Sequence, residues 1–279
     1  MAVLREIVKS AVPLRMRDRI RYVLNSRYRG IIRRAWQRTH QQGLVAEAAA
    51  DLWGATGGMV ASGPFKGMSY IRESAGSQWA PKLLGTYEME LAPIMEAIIA
   101  RPPVRVVDIG AAEGYYAVGL AWRIPSTLVI AFEAQETARK LLEDVATANG
   151  VADHIEVRGH CSPEWLNDSL QGGTGTLVIC DVEGAELQLL DPVKSPDLSY
   201  ADVLVEAHPW GHERMAEMLR QRFRLTHSVR EIHARPRDAR DLPALGQPLP
   251  PANAVACMDE MRPCAMTWLW MTARERGQR

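Results

Sequence analysis

The sequence predicts an α/β fold built on a doubly wound, mostly parallel seven-stranded sheet, with a helical N-terminal extension. Two observations lead to this prediction. Short apolar runs alternate with segments of helical periodicity from residue 104 onwards, as expected for parallel strands joined by helices. The first apolar run also ends in a glycine-containing turn at the start of a helix, which is typical of a strand that leads into a ligand-binding loop.

The elements follow from apolar runs and their glycine, asparagine or proline boundaries. We expect strands at 104–109, 127–132, 154–159, 176–181, 202–207, 222–228 and 266–272, with a short additional strand at 68–71. We expect helices at 89–100, 115–123 and 135–149, from 162, from 186, and at 212–221.

Basic side chains are concentrated at the N-terminus of this 279-residue chain, whose overall net charge is zero. Residues 1–40 contain eleven Lys or Arg and two Asp or Glu, a net charge of +9. We therefore divide the chain into a basic helical extension, 1–55, and an α/β domain, 56–279, with a proline-rich insertion at 231–263. The extension can cover the α/β domain, contact an anionic membrane surface, meet RNA or mediate a homodimer.

The four cysteines show no C-x-x-C spacing, so we expect neither a disulfide framework nor a zinc site. No segment is apolar enough to span a bilayer, and the N-terminus lacks the continuous apolar stretch of a signal peptide. We therefore expect a cytoplasmic protein, with peripheral membrane contact as the alternative.

The turn after the first strand carries the pattern D-x-G-x-x-x-G at Asp108, Gly110 and Gly114. A dinucleotide-binding strand would require G-x-G-x-x-G, and Ala112 stands where the middle glycine often lies. Glu113, inside the turn, would also repel a pyrophosphate. Gly110 can adopt positive φ, and we expect Gly114 to let a ligand approach the backbone.

This pattern resembles motif I of class I S-adenosylmethionine (SAM) methyltransferases, which have a Rossmann-like fold ending in an antiparallel hairpin. SAM is cationic at sulfur and has no phosphate, so nearby carboxylates are tolerated. Glu133 ends the second strand, where a carboxylate can accept hydrogen bonds from both ribose hydroxyls. The cofactor contacts that we expect are Lys82, Tyr87, Asp108, Gly110, Ala111, Gly114, Tyr115, Glu133, Ala134, Cys161 and Asp181.

Polar side chains follow the fourth and fifth predicted strands, at the edge where parallel sheets bind ligands. Asp181 and Glu183 are two residues apart, as are Glu206 and His208, so each pair can point to one side. His208 is the candidate general base, because the ordinary pKa of histidine lies near neutrality. Asp181 or Glu183 could accept the proton or orient the base.

The same four side chains allow another arrangement. Asp181, Glu183, Glu206 and His208 offer oxygen and nitrogen ligands that could converge on Mg²⁺ or Mn²⁺. A divalent ion would lower the pKa of a substrate hydroxyl and fix its position. We nevertheless expect the site to work without metal, because the carboxylates and the base suffice, and we keep the four-ligand metal site as the alternative.

The stretches DVEGAE at 181–186 and VEAH at 205–208, with DIGAAEGYY and the Phe132-Glu133 pair, resemble the FkbM-like family of SAM-dependent methyltransferases. The resemblance covers roughly residues 85–210. It implies O-methylation of a hydroxyl on a small molecule, a sugar or a secondary metabolite.

Three other functions remain open from the sequence. The basic N-terminus is compatible with methylation of RNA, and methylation of a peptide or protein is also open. However, the fourth strand lacks the N/D-P-P-Y/F motif of amino-directed enzymes, and we do not expect a nucleic-acid partner. A non-catalytic SAM-binding module is the remaining alternative, although motif I and the acids after the fourth strand are both intact.

Overall fold

The computed structural model describes residues 43–170, 173–209, 212–245, 249–262, 264 and 266–274. The chain divides into two units, Met1–Glu47 and Ala48–Arg279. The second unit begins with helical residues 48–56 (α1). Residues 1–42 of the predicted basic extension lie outside the described residues, and the boundary at residue 55 stays a prediction.

The described residues contain one seven-stranded sheet with the order β3-β2-β1-β4-β5-β7-β6. Strands β1 to β5 are parallel, and β7 runs antiparallel between β5 and β6. This confirms the doubly wound, mostly parallel sheet. The strands are β1 (Arg105–Ile109), β2 (Leu128–Phe132), β3 (Ile155–Arg158), β4 (Thr176–Cys180), β5 (Asp202–Glu206), β6 (His227–His233) and β7 (Thr267–Ala273).

Helices connect the strands, as the alternating pattern predicts. The further helices of the described chain are α2 (Trp79–Leu84), α3 (Ala92–Ala100), α4 (Tyr115–Arg123), α5 (Glu136–Ala148), α6 (Pro163–Leu170), α7 (Glu186–Leu189), α8 (Met215–Phe223) and α9 (Pro251–Met258). None of the helices in the part of the chain that the structure describes is long and apolar enough to cross a bilayer.

Alternate residues of the central strands build a shared hydrophobic core. Val107 in β1, Phe132 in β2, Cys180 in β4 and Val205 in β5 belong to one buried cluster with side chains of α6 and α8. Successive strand side chains point to opposite faces, and β4 is buried along its whole length. Both faces of the central sheet are therefore covered, as in other parallel sheets.

The strand order reverses at β1, whose neighbours are β2 on one side and β4 on the other. In open α/β sheets this reversal leaves a crevice at the carboxyl ends of the strands, where ligands bind. Gly110 follows β1 with φ of +84°, and a Cβ there would lie 1.7 Å from the carbonyl oxygen of Asp181. The glycine thus lets the turn after β1 lie directly against the end of β4.

The sixth strand begins five residues later than the sequence pattern suggests. Met215, Leu219 and Phe223 are spaced by four and buried together in the core, so α8 continues through Phe223 and β6 starts at His227. Phe223 is the last residue of α8, whereas the sequence pattern places it in the following strand. Helical spacing was the better guide here.

Two other segments differ from expectation. Residues 68–71 form no strand in the described chain; an isolated bridge joins Met59 to Ser69. The proline-rich insertion begins inside β6, which extends to His233, and it contains a short 3-10 turn at Ala239–Asp241 as well as α9. The insertion therefore contributes ordered structure near the sheet edge.

We expect Gly110→Ala to destabilise the protein far more than Gly150→Ala. Both glycines have positive φ, but a Cβ at residue 150 meets nothing within 4 Å. Backbone strain alone costs about 1–2 kcal/mol, whereas the clash with Asp181 should raise the loss at residue 110 above about 3 kcal/mol. Urea unfolding measures both, and equal losses would contradict the close contact between the β1 turn and β4.

Candidate functional site

A cavity of about 230 Å³ lies at the carboxyl ends of β1, β2, β4 and β5. Its remaining walls come from the segment 75–87, from the turn after β1 and the start of α4, from Gln135, and from Glu260, Met261, Arg262 and Met266. A larger cavity of about 400 Å³ beside α3, β6 and β7 has one charged side chain in its lining, Arg230. The first cavity coincides with the crevice that the strand order creates, so it is the candidate site.

Acidic side chains dominate this cavity. Among the described residues, six acids line it, together with two permanently cationic side chains and one histidine. The acids are Asp108, Glu133, Asp181, Glu183, Glu206 and Glu260, and the other three are Lys82, Arg262 and His208. Carboxyl groups therefore outnumber the basic side chains in the lining, a composition that favours cationic over anionic ligands.

Most of the predicted cofactor contacts line the cavity. These residues are Lys82, Tyr87, Asp108, Gly110, Ala111, Tyr115, Glu133 and Asp181. Gly114, Ala134 and Cys161 are not in its lining. Gly114 has φ of +91°, and a Cβ there would approach Leu142 and Val118, so this glycine serves the packing of α4 against α5.

Glu133 is fixed at the end of β2 by two backbone amides. Its Oε2 accepts a hydrogen bond from Ala112 N at 3.0 Å, and its Oε1 accepts one from Gln135 N at 2.7 Å. A carboxylate has about four acceptor positions. Glu133 therefore keeps capacity for two further donors while its orientation is set by the backbone.

Asp108 has a buried oxygen without a protein partner. Its side chain is 3% exposed, and Oδ2 has no hydrogen-bond partner among the described residues. Burial raises the pKa of Asp108 to about 7. A buried carboxylate is costly unless something pairs with it, and this one lines a cavity of ligand size.

A buried ion pair between Lys82 and Glu113 closes the cavity on the side of the β1 turn. Glu113 also accepts hydrogen bonds from Tyr70 Oη at 2.5 Å, Ser74 Oγ at 2.8 Å and Ala75 N at 2.9 Å. The lysine lowers the pKa of Glu113. Glu113 thus anchors the segment that covers the cavity, and Lys82 neutralises the charge that we expected to repel a pyrophosphate.

Aromatic rings pack around Lys82. Its Nζ lies 4.9 Å from the ring centroid of Tyr87 and 5.9 Å from that of Tyr115. The two rings contact each other edge to face at 5.5 Å. The predicted contacts Lys82 and Tyr87 therefore reach the cavity as parts of one packed group, in which the lysine already has a carboxylate partner.

The structure brings the predicted catalytic residues together around His208. Nε2 of His208 lies 3.2 Å from Glu206 Oε2, 3.5 Å from Asp181 Oδ1 and 3.6 Å from Glu183 Oε2. On the opposite side of the ring, Nδ1 lies 2.5 Å from Oε1 of Glu186. Sequence reasoning missed Glu186, although it is the last residue of the DVEGAE stretch.

Burial lowers the pKa of His208, but the hydrogen bonds that its ring donates to the carboxylates of Glu186 and Glu206 outweigh burial and raise the pKa to about 10. The imidazole therefore carries a proton at neutral pH when only these side chains surround it. The prediction of a general base assumed the ordinary pKa of histidine, and the neighbouring carboxylates raise the pKa of His208 above that value. A protonated ring instead balances part of the carboxylate charge.

Three of the four metal ligands considered from the sequence have the spacing of a metal site. Asp181, Glu206 and His208 each offer one ligand atom, and these atoms lie within 4.8 Å of one another. Glu183, the fourth ligand considered from the sequence, is outside this group. Its side chain is 68% exposed, and its backbone has φ of +56°, a conformation that costs energy in a non-glycine residue.

Arg262 brings the proline-rich insertion into the site. Its guanidinium forms ion pairs with Glu88, Glu206 and Glu260, and Tyr116 donates a hydrogen bond to Glu88. Burial raises the pKa of Glu88 to about 8. Neither Arg262 nor Glu88 could be recognised from the sequence, because 174 residues separate the two along the chain.

No protein-family model and no curated protein matches the sequence. Among solved structures, the chain is similar to the O-methyltransferase TomG from Streptomyces achromogenes, involved in tomaymycin synthesis and solved in complex with SAM. The identity is 19% over 71% of this chain and 82% of that chain, with a TM-score of 0.44.

Two further solved structures are similar at the same level. A SAM-dependent O-methyltransferase from Thermotoga maritima has 16% identity over 67% of this chain and 66% of that chain, with a TM-score of 0.41. A precorrin-6y C5,15-methyltransferase from Geobacter metallireducens has 12% identity over 63% of this chain and 87% of that chain, with a TM-score of 0.41. Sequence identities and TM-scores this low do not support a functional assignment. The proposed function therefore depends on the geometry of the site.

We expect Asp108→Asn to stabilise the protein, and to do so more at pH 8 than at pH 5. The pKa of Asp108 rises from an ordinary 3.8 to about 7 on folding, so the folded wild type loses stability as the pH rises between these values. The difference in unfolding free energy should grow by roughly 1–3 kcal/mol across that range. Urea unfolding at both pH values measures it; a difference independent of pH would contradict a pKa of Asp108 that burial raises.

Proposed function

We propose that the protein is a SAM-dependent methyltransferase that methylates a hydroxyl group of a small molecule, sugar or secondary metabolite. The observation that carries this proposal is the acidic cavity at the β1–β4 crevice, with Glu133 fixed at its β2 side. A site rich in carboxylates suits a cationic cofactor without phosphate. It is poorly suited to a dinucleotide, whose pyrophosphate it would repel.

The residues present fit SAM as the cofactor. Glu133 offers its remaining acceptor positions to the two ribose hydroxyls. The unpaired oxygen of Asp108 offers an acceptor to a cationic or hydroxyl donor, which would relieve the cost of its burial. Lys82 belongs to the covering segment and is paired with Glu113, so the carboxylate end of the cofactor would share its ammonium group with that glutamate.

The chemistry requires a methyl donor, a positioned hydroxyl and a proton acceptor. When bound, SAM supplies a methyl group that passes from sulfur to the acceptor oxygen, so that one C–S bond breaks and one C–O bond forms. Glu183 takes the hydroxyl proton, because it lines the cavity and is the most exposed of the four groups near His208. Asp181 and the protonated His208 hold the acceptor in place.

The FkbM-like resemblance supports a hydroxyl as the acceptor. Glu186 of the DVEGAE stretch and His208 of the VEAH stretch form one hydrogen bond in the site, so the two stretches that carry the resemblance belong to one functional unit. RNA is disfavoured as the acceptor, since carboxylates around the reacting groups would repel a phosphate backbone.

We expect Glu133→Gln to weaken SAM binding by about 10- to 100-fold, because charge-assisted hydrogen bonds contribute roughly 1.5–3 kcal/mol. Isothermal titration calorimetry of the purified protein with SAM measures the change. The matched control is Glu136→Gln, an exposed residue three positions later in α5, which should bind SAM like the wild type. Unchanged affinity in Glu133→Gln would contradict the ribose assignment.

We expect Glu183→Gln to lower methyl transfer by about 100-fold or more, because proton transfer by a positioned base contributes that much. The SAM affinity should stay within about twofold of wild type. Transfer of radiolabelled methyl groups to a panel of sugars and phenols identifies an acceptor and then measures the variant. Glu156→Gln, which changes an exposed glutamate of β3, is the control, and full activity of Glu183→Gln would exclude Glu183 as the base.

A further inference from the structure

We propose that Asp181, Glu206 and His208 form a binding site for one divalent transition-metal ion, and that Glu186 positions His208 for it. The ligands come from the ends of two adjacent parallel strands, β4 and β5. The metal-binding claim stands on this geometry alone. The role of the ion in catalysis rests on the proposed function.

Two of the three distances between ligand atoms are close to those around an octahedral ion, and all three lie within 4.8 Å. Neighbouring ligand atoms around an ion with bonds of about 2.1 Å are about 3.0 Å apart. Nε2 of His208 lies 3.2 Å from Glu206 Oε2 and 3.5 Å from Asp181 Oδ1. Small movements of the side chains would therefore bring all three atoms into bonding distance.

Glu186 has the position of an outer-shell metal residue. Histidines that bind metal almost always donate their other ring N–H to a carboxylate or carbonyl, which fixes the tautomer and the ring orientation. Oε1 of Glu186 lies 2.5 Å from Nδ1 of His208 and also accepts a hydrogen bond from Gly184 N at 3.0 Å. Glu186 is completely buried and directs Nε2 towards Asp181 and Glu206.

Two features of the cluster around His208 favour a bound cation: an excess of carboxylates and a carboxylate oxygen without a hydrogen-bond donor. Four carboxylates, from Asp181, Glu183, Glu186 and Glu206, surround the single imidazole. Arg262 pairs with Oε1 of Glu206, while Oε2 faces His208. Oδ1 of Asp181 is buried and has no hydrogen-bond partner among the described residues, so a ligand atom on the metal side of the cluster lacks a donor.

The donor set favours Mn²⁺ over Mg²⁺. Mg²⁺ prefers oxygen ligands and bound water, whereas an imidazole nitrogen suits a transition metal. In the methyltransferase, the ion would bind the oxygen of the acceptor hydroxyl and lower its pKa. Glu183, which lies beside the three ligands, would then receive the proton. His208 would act as a neutral metal ligand.

The test is a Mn²⁺ titration of the purified full-length protein without SAM, followed by the loss of the electron paramagnetic resonance signal of free Mn²⁺. We expect one ion per chain. His208→Gln and Asp181→Asn should each weaken binding by about 100-fold or more, and Glu186→Gln by about 10-fold. Glu133→Gln, which removes a carboxylate from the β2 side of the same cavity, should keep Mn²⁺ affinity within about twofold.

Circular dichroism checks that each variant is folded, and Glu186→Gln keeps the proposal testable if a ligand variant does not fold. Absence of Mn²⁺ binding by the wild type would overturn the proposal, as would equal binding by wild type, Asp181→Asn and Glu186→Gln. A SAM titration of the same preparation separates the two proposals. Binding of SAM without Mn²⁺ contradicts the metal site alone, and binding of Mn²⁺ without SAM contradicts the methyltransferase.

Discussion

The cost of gathering carboxylates at one edge of a buried sheet is the constraint on which the rest of this structure depends. Asp108 lies one residue before the end of β1, and Glu133, Asp181 and Glu206 end or directly follow β2, β4 and β5, so the fold places the four side by side. Carboxylates this close repel one another and lose solvation. Cations, either basic side chains or bound ligands, can offset this repulsion and this loss of solvation.

The protein supplies part of that balance from segments outside the core sheet. Lys82, from the covering segment, neutralises Glu113, and Arg262, from the proline-rich insertion, bridges Glu88, Glu206 and Glu260. These ion pairs also form two walls of the cavity. The carboxylates of Asp108 and Asp181 each keep an oxygen without a donor among the residues that the structure describes, and there the proposed cofactor and metal would provide the missing positive charge.

Much of the fold was predictable because burial and periodicity are local signals. The helix at 115–123 and the strands that end beside Glu133 and Asp181 follow from apolar runs and glycine turns. The convergence of Asp181 and His208 follows from adjacent parallel strands. Contacts between distant segments were not predictable, as the roles of Glu88, Arg262 and Glu186 show. The raised pKa of His208 was also missed, since it depends on three carboxylates, those of Glu186, Glu206 and Asp181, whose distances only the folded chain defines.

The central claim is that the acidic crevice recognises a cationic nucleoside cofactor and excludes a dinucleotide. Parallel calorimetric titrations of the purified protein with SAM and with NADH test this claim most directly. Our account predicts saturable binding of one SAM per chain and no detectable binding of NADH. Saturable binding of NADH without binding of SAM would contradict the account, because the carboxylates of the crevice could not then be its determinants of specificity.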